Sequence, residues 1–300
     1  MRWMPDSTGR FGWRPYYDQE ELDYECERLV TSFLKRKYGE TRFPISTDDL
    51  SVMIEQETSY LDLYADLSVE GEDVEGLTEF YPNKKPSVKI ARELSLDLLR
   101  YSRLRTTLAH EYGHVQFHTF LWELGPGKKS TPLWNLGKGK KSTPGILSKI
   151  HIQRRTYEQF RKRLASRYAL QDSFPFPSNS AAPTFLTGYQ PNAALKCKRS
   201  RIVDAPFSDW MEWQASYVSG AILMPLSPLR RVIRPDIGEG DSLNWLSSDS
   251  ASAGELIAKV STAFDVSPET ARVRLEKLGF LQNTQSAHSV TRLSSTAPIT

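Results

Sequence analysis

The apolar positions of the chain follow two rhythms. In "DQEELDYECERLVTSFLKRKYG", Asp18 to Gly39, Leu22, Cys26, Leu29, Val30 and Phe33 fall at helical spacing. That spacing predicts a helix with one buried face, and Gly39 supplies a stop. A second helix is predicted after Ser46 in "PISTDDLSVMIEQ", with Asp48 and Asp49 favourable in its first turn. The rhythm then shortens to two. Strands are predicted at 59–67, 76–81 and 87–91. In the first, Leu61, Leu63, Ala65 and Leu67 share one face, while Asp62, Tyr64 and Asp66 share the other. Val88-Lys89-Ile90 alternates in the same way, and "PNKKP" is turn material. The expectation is a small, twisted, mostly antiparallel sheet.

Helical spacing returns from about Ser102 to Trp122 and ends before Gly125-Pro126. The next stretch is of another kind. "GKKSTP" occurs at 127–132 and again at 139–144, too few copies for a solenoid. Residues 146–171 read as helical and cationic, and the proline-bearing stretch 173–193 as loop. Order resumes in "SDWMEWQASYVSGAILMP", Ser208 to Pro225. Two short helices follow in "AGELIAKVSTAF" and "VSPETARVRLEKLG", with Ser267 as cap, Pro268 at the first helical position and Gly279 past the end. Their tight turn gives a helix-turn-helix-like unit. The expected organisation is an α+β domain from 18–123 and 200–226, a basic insertion at 124–199, a small helical C-terminal domain at 227–284 and a disordered tail at 285–300.

Composition refines this picture in two places. Hydrophobic residues make up 39% of the 300, enough for a core. The first residues lack the apolar run of a secretion signal, no apolar stretch approaches the length of a membrane helix, and two distant cysteines, Cys26 and Cys197, read as reduced thiols. A cytoplasmic protein without membrane contact is therefore expected. The net charge of +3 conceals an asymmetry: twelve lysines and arginines lie between Gly127 and Arg167, opposed only by Glu158, so the remainder is acidic. That segment is a candidate for weak nucleic-acid contact.

The chemistry concentrates in "RLRTTLAHEYGHVQFHTFLW", Arg103 to Trp122, which contains His110, Glu111 and His114 in the order H-E-x-x-H. Four helical residues advance about 400° and rise about 6 Å, so the two imidazoles project from one face and can converge on one ion. Glu111 lies near enough to take a proton from a water that the ion activates. Three of the five histidines, His110, His114 and His118, fall within nine residues. His118 is about 12 Å along the axis from His110, too far to share the ion on an unbroken helix, and reads as a supporting residue.

A third ligand must come from elsewhere. Glu123 is too far along the same helix, and Glu158 sits among basic residues that account for it. Glu212 opens the helix at Ser208–Pro225, but Asp209-Trp210-Met211-Glu212 also has capping-box spacing, so it is open to either reading. Gln214 points to a different side of that helix. The run Ser219-Gly220-Ala221 would let this helix approach the His110 helix closely.

"RLRTTLAHEYGHVQFH" followed by "EWQASYVSGAILMP" resembles the ImmA/IrrE metallopeptidase family, whose helix reads like T-L-A-H-E-L-G-H-x-x-x-H and whose second signature reads like E-x-x-A-N-x-F-A-x-x-L-L-M-P. Glu212, Ala215, Ile222, Leu223, Met224 and Pro225 occupy matching places, and "FDVSPETARVRLEKLGFL" looks like that family's C-terminal unit. Ser216 departs from the family's Asn or Asp, and Val218-Ser219 from its Phe-Ala. The likeness covers most of 40–123 and 200–282. It implies a minimal zincin-like fold, zinc held by His110, His114 and Glu212, and Glu111 as the catalytic base. It also implies an intracellular endopeptidase that cuts a helix-turn-helix repressor in stress response or transcription regulation.

For mechanism, an extended peptide is expected along an edge strand of the sheet. The rival reading is a DNA-binding regulator with a non-catalytic zinc site, using the basic insertion and Arg272, Arg274 and Lys277 of the last helix. Glu111 argues against a zinc module without turnover.

Overall fold

A computed structural model describes residues 2–123, 193–237 and 245–282, save for residues 9, 12, 83, 204 and 207. Most of the insertion at 124–199, with both "GKKSTP" copies, and the tail at 285–300 lie outside the described residues.

Local chemistry explains the first helices. Helix α1, Gln19–Tyr38, starts at a reciprocal capping box between Asp18 and Glu21 and stops at Gly39, whose φ of 80° suits glycine. It buries Leu22, Cys26, Val30, Phe33 and Leu34. Helix α2, Thr47–Glu57, is capped by Ser46, whose side chain accepts from the Asp49 N–H.

The sheet has strands β3 (Tyr60–Ala65), β4 (Val74–Phe80) and β5 (Ser87–Ala91), close to where the two-residue rhythm places them, and a fourth, β6 (Ala193–Lys198). The order is β3-β5-β4-β6; β3 and β5 run parallel, and β4 is antiparallel to both its neighbours. β6 lies within the stretch expected to belong to the insertion. Its Leu195 and Cys197 are buried, while Ala194, Lys196 and Lys198 are exposed. β4 is therefore an inner strand, and the edges of the sheet are β3 and β6.

Helix α3, Arg92–Leu96, leads to α4, Tyr101–His118, which carries the H-E-x-x-H sequence and packs against β4 and α2. The sequence predicts one helix to Trp122. In the structure α4 ends at His118, and a short α5, Phe120–Glu123, follows. After β6 come α6 (Arg199–Val203), α7 (Trp210–Leu223) and α8 (Leu226–Ile237). Helices α9 (Ala251–Phe264) and α10 (Pro268–Lys277) are joined through Asp265 at a left-handed φ of 53°, with Ser267 capping α10. A two-residue parallel ladder joins β7 (Leu246–Ser247) to β8 (Leu281–Gln282).

The described residues of 227–284, the stretch expected as a small domain, share one core with the elements before them. Leu256, Val260 and Leu275 cluster with Leu22 and Val30 of α1, Leu108 of α4 and Val218 and Ile222 of α7. An N-terminal hairpin without a clear sequence signal, β1 (Arg2–Pro5) and β2 (Trp13–Tyr16), lies against α7. Asp6 accepts from the Trp210 indole N–H at 3.0 Å. Phe11 joins a second cluster with Phe80, Trp122, Leu195, Trp210 and Met211.

Helices α4 and α7 come together at Gly113. A Cβ there would stand 3.1 Å from Val218 Cγ1 and 3.2 Å from Ala215 Cα. Gly220, expected to serve this approach, faces Arg274 instead, at 3.3 Å from where its Cβ would be. Among the described residues no helix is long and apolar enough to cross a membrane.

Candidate metal centre

His110 and His114 lie one turn apart on α4 and point at α7. Their Nε2 atoms are 3.1 Å apart. Glu212, in the first turn of α7, places Oε2 at 3.2 Å from His110 Nε2 and Oε1 at 3.3 Å from His114 Nε2. Ligand atoms held about 2.0–2.1 Å from a tetrahedral ion stand about 3.3–3.4 Å from one another. The three side chains thus make a triangle of the right size, and they are close enough to hold a metal ion.

The capping reading of Glu212 does not hold. Asp209 makes no side-chain cap bond and accepts instead from Arg201 at 3.0 Å. Glu212 is turned into the cluster and is 5% exposed, whereas His110, Glu111 and His114 are 0% exposed.

Glu111 lies against β4. One of its oxygens accepts from the Thr78 hydroxyl, and a Cβ at Gly76 would collide with its carboxylate. Its Oε1 is buried without a hydrogen-bond partner among the described residues. Cys197 of β6 brings its Sγ within 4.8 Å of a His110 nitrogen and a Glu111 oxygen. Neither Thr78 nor Cys197 carries a sequence signal for this role; only strand pairing puts them here.

His118 and Gln214 form a second layer. Gln214 Nε2 donates to the Pro15 carbonyl at 3.2 Å, so its Oε1 is the acceptor facing His118 Nε2 at 3.0 Å. Burial, then the charge on His114, hold His118 far below its ordinary pKa, so it is neutral. With Nε2 protonated, its Nδ1 is bare and accepts from His114 Nδ1, 3.0 Å away. In the neutral form of His114 the Nε2 lone pair is then left facing His110 and Glu212. Gln214, read from the sequence as pointing elsewhere, belongs to the site. His110 Nδ1 has no hydrogen-bond partner among the described residues.

The charges follow from this packing. Burial raises the Glu111 pKa, and the neighbouring His114 and His110 only partly offset it. Burial opposes ionisation of Glu212 too, but His114 and His110 win and its pKa falls. For His114 burial lowers the pKa, yet Glu212 more than compensates and the net shift is upward. Burial also raises the Cys197 thiol, helped by Glu111 and Glu212.

No protein-family model matches the chain. No curated protein matches it either.

Proposed function

We propose that the chain is a zinc-dependent endopeptidase of the cell interior whose substrate is a regulatory protein such as a helix-turn-helix repressor. The observation that carries the reading is the convergence of His110 Nε2, His114 Nε2 and a Glu212 oxygen within 3.3 Å, beside a second buried carboxylate. A two-histidine, one-carboxylate set with a neighbouring glutamate suits zinc hydrolysis. The substrate class rests on the resemblance of "RLRTTLAHEYGHVQFH" and "EWQASYVSGAILMP" to the ImmA/IrrE metallopeptidases.

Zinc, when bound, supplies a Lewis acid that polarises the scissile carbonyl and the attacking water. The chain supplies the rest. Glu111 takes the water's proton and returns it to the leaving amine. The Thr78 hydroxyl fixes one Glu111 oxygen and leaves the other for the proton. Gln214 and His118 hold His114 in the tautomer that ligates.

Of the last-helix cations that the DNA-binding alternative would use, one is buried. Arg274 is 2% exposed and paired with Asp23 at 2.6 Å, and the other two, Arg272 and Lys277, reach Ser248 and Ser216.

The test is metal analysis joined to a cleavage assay on candidate repressors. Glu111→Gln is expected to keep full zinc occupancy and to lose about 10²–10⁴-fold in turnover. Wild-type turnover in that variant would reject the mechanism, and full zinc occupancy in Glu212→Ala would reject the ligand set.

A further inference from the structure

A peptide to be cut must lie beside Glu111, and the chain itself fills that place. β6 runs antiparallel along β4, the strand whose Thr78 holds Glu111, with Thr78 opposite Leu195 and Gly76 opposite Cys197. Leu195 is buried in the apolar pocket of Phe80, Trp122, Trp210 and Met211. Two residues later Cys197 stands within 4.8 Å of both His110 and Glu111. Because Gly76 has no side chain, the Glu111 carboxylate and the Cys197 thiol can share the space on that face. With β6 in place, His110, Glu111 and His114 have no exposed surface.

The hold on β6 is one that another strand could take over. Main-chain bonds along β4 do not depend on sequence. The outward lysines add Lys196–Glu70 at 2.9 Å and Lys198–Asp73 at 3.5 Å, both partly exposed pairs that salt screens. Specificity therefore lies in the two inward side chains.

We propose that β6 is a resident pseudosubstrate. Its inward residues then describe what the cleft accepts: an extended strand antiparallel to β4, with a leucine-sized side chain in the Phe80–Trp122–Trp210–Met211 pocket and, two positions later, a small residue facing Glu111. The substrate meaning rests on the hydrolase reading above; the exchange of one strand for another does not need the metal.

The two cysteines, both 0% exposed, are built-in reporters: Cys197 lies on β6 and Cys26 in the α1 core. The full chain, prepared without metal, is treated with N-ethylmaleimide, and labelling at each site is followed by peptide mass spectrometry. Cys197 is expected to label at least about tenfold faster than Cys26, since freeing one outer strand costs less than opening the core. A synthetic peptide with the sequence of residues 193–198, carrying serine in place of the cysteine, is expected to speed Cys197 labelling about tenfold further and leave Cys26 unchanged. The same peptide with aspartate in place of the leucine is expected to have no effect. Equal labelling of the two cysteines, or identical behaviour of the two peptides, overturns the proposal. Failure of zinc binding or cleavage in the assays above would reject the hydrolase reading and leave this labelling result to stand on its own.

Discussion

Helix α7 takes part in two buried polar clusters, and they are built on opposite plans. In one, Tyr217 and Arg274 converge on Asp23 of α1. Arg274 Nη2 meets Asp23 Oδ1 at 2.6 Å, the Tyr217 hydroxyl donates to Oδ2 at 2.9 Å, and the guanidinium lies over the Tyr217 ring. Arg274 also reaches the Met224 carbonyl at the end of α7. Positive and negative charge are matched inside the protein. In the other, Glu212 and Gln214 face three imidazoles and the Glu111 carboxylate, and no described lysine or arginine bonds to either carboxylate. The first cluster ties α1, α7 and α10 together by matched charge, although Arg274 Nη1 is buried there without a hydrogen-bond partner among the described residues. The second has converging lone pairs and a buried orphan oxygen, and a cation would complete it.

Removing one side of the matched pair should have the largest effect on folding. Asp23→Ala leaves Arg274 buried without its counter-charge, and such a break costs about 3–5 kcal/mol. Urea unfolding of the metal-free protein measures it. A loss below about 1 kcal/mol would mean that the pair is not the scaffold element that its burial implies.

Glu212→Ala should behave differently. The metal-free variant loses the bonds of Glu212 to His110 and His114 and is expected to be less stable than wild type, so the diagnostic reading is the gain that zinc adds to each. Zinc at a hundred times its dissociation constant should stabilise the wild type by about 2.7 kcal/mol and the variant far less. Thermal melts with zinc and with a chelator separate the two cases. A variant that gains as much from zinc as the wild type would show that Glu212 is no ligand.

The contrast between the clusters also marks how much the sequence could reveal. His110, Glu111 and His114 were legible because a four-residue helical spacing leaves little freedom. Ser46, Ser267 and Gly39 were legible because caps act within a few residues of themselves. Glu212 was only half legible, since its spacing from Asp209 fits a cap that the structure does not form. β6 shows Leu195 and Cys197 as its buried residues and follows a proline-bearing stretch, so its strand character comes from pairing with β4 rather than from its own pattern. Pro228 and Pro235 disguised α8; Pro228 lies in its first turn, where proline is tolerated, and Pro235 lies inside its last turn. Gln214 could not be placed without knowing that α7 lies beside α4 along its length. Its partner His118 sits one turn beyond His114.

Gln214 gives a finer probe of the incomplete cluster, because it touches no ligand atom. Gln214→Ala frees His118 from its acceptor and lets His114 adopt either tautomer. Zinc affinity is expected to fall about 10–100-fold, the range for lost support of a ligating histidine. Competition with a chromophoric chelator reads the change. Unchanged affinity would mean that the bonds among Pro15, Gln214, His118 and His114 do not orient the ligand.

The smallest effect concerns a carboxylate that follows the matched plan near the surface. Burial alone would raise the Asp49 pKa, but bonds from Lys37, Ser46 and Tyr38 outweigh it and hold the group below its ordinary value. A carboxyl lowered in the folded state adds stability above its unfolded pKa of about 3.9, and that stability is lost as pH falls through the folded value. Asp49→Asn removes the ionisation, so the wild type should exceed the variant near neutrality and the gap should close below about pH 4. Urea midpoints of both proteins across that range give the answer. A gap that stays constant into acid would assign the difference to the shape of the α2 N-terminus and not to charge. Asp49 would then differ in kind from the Asp23 pair, although both carboxylates are buried and both face a cation.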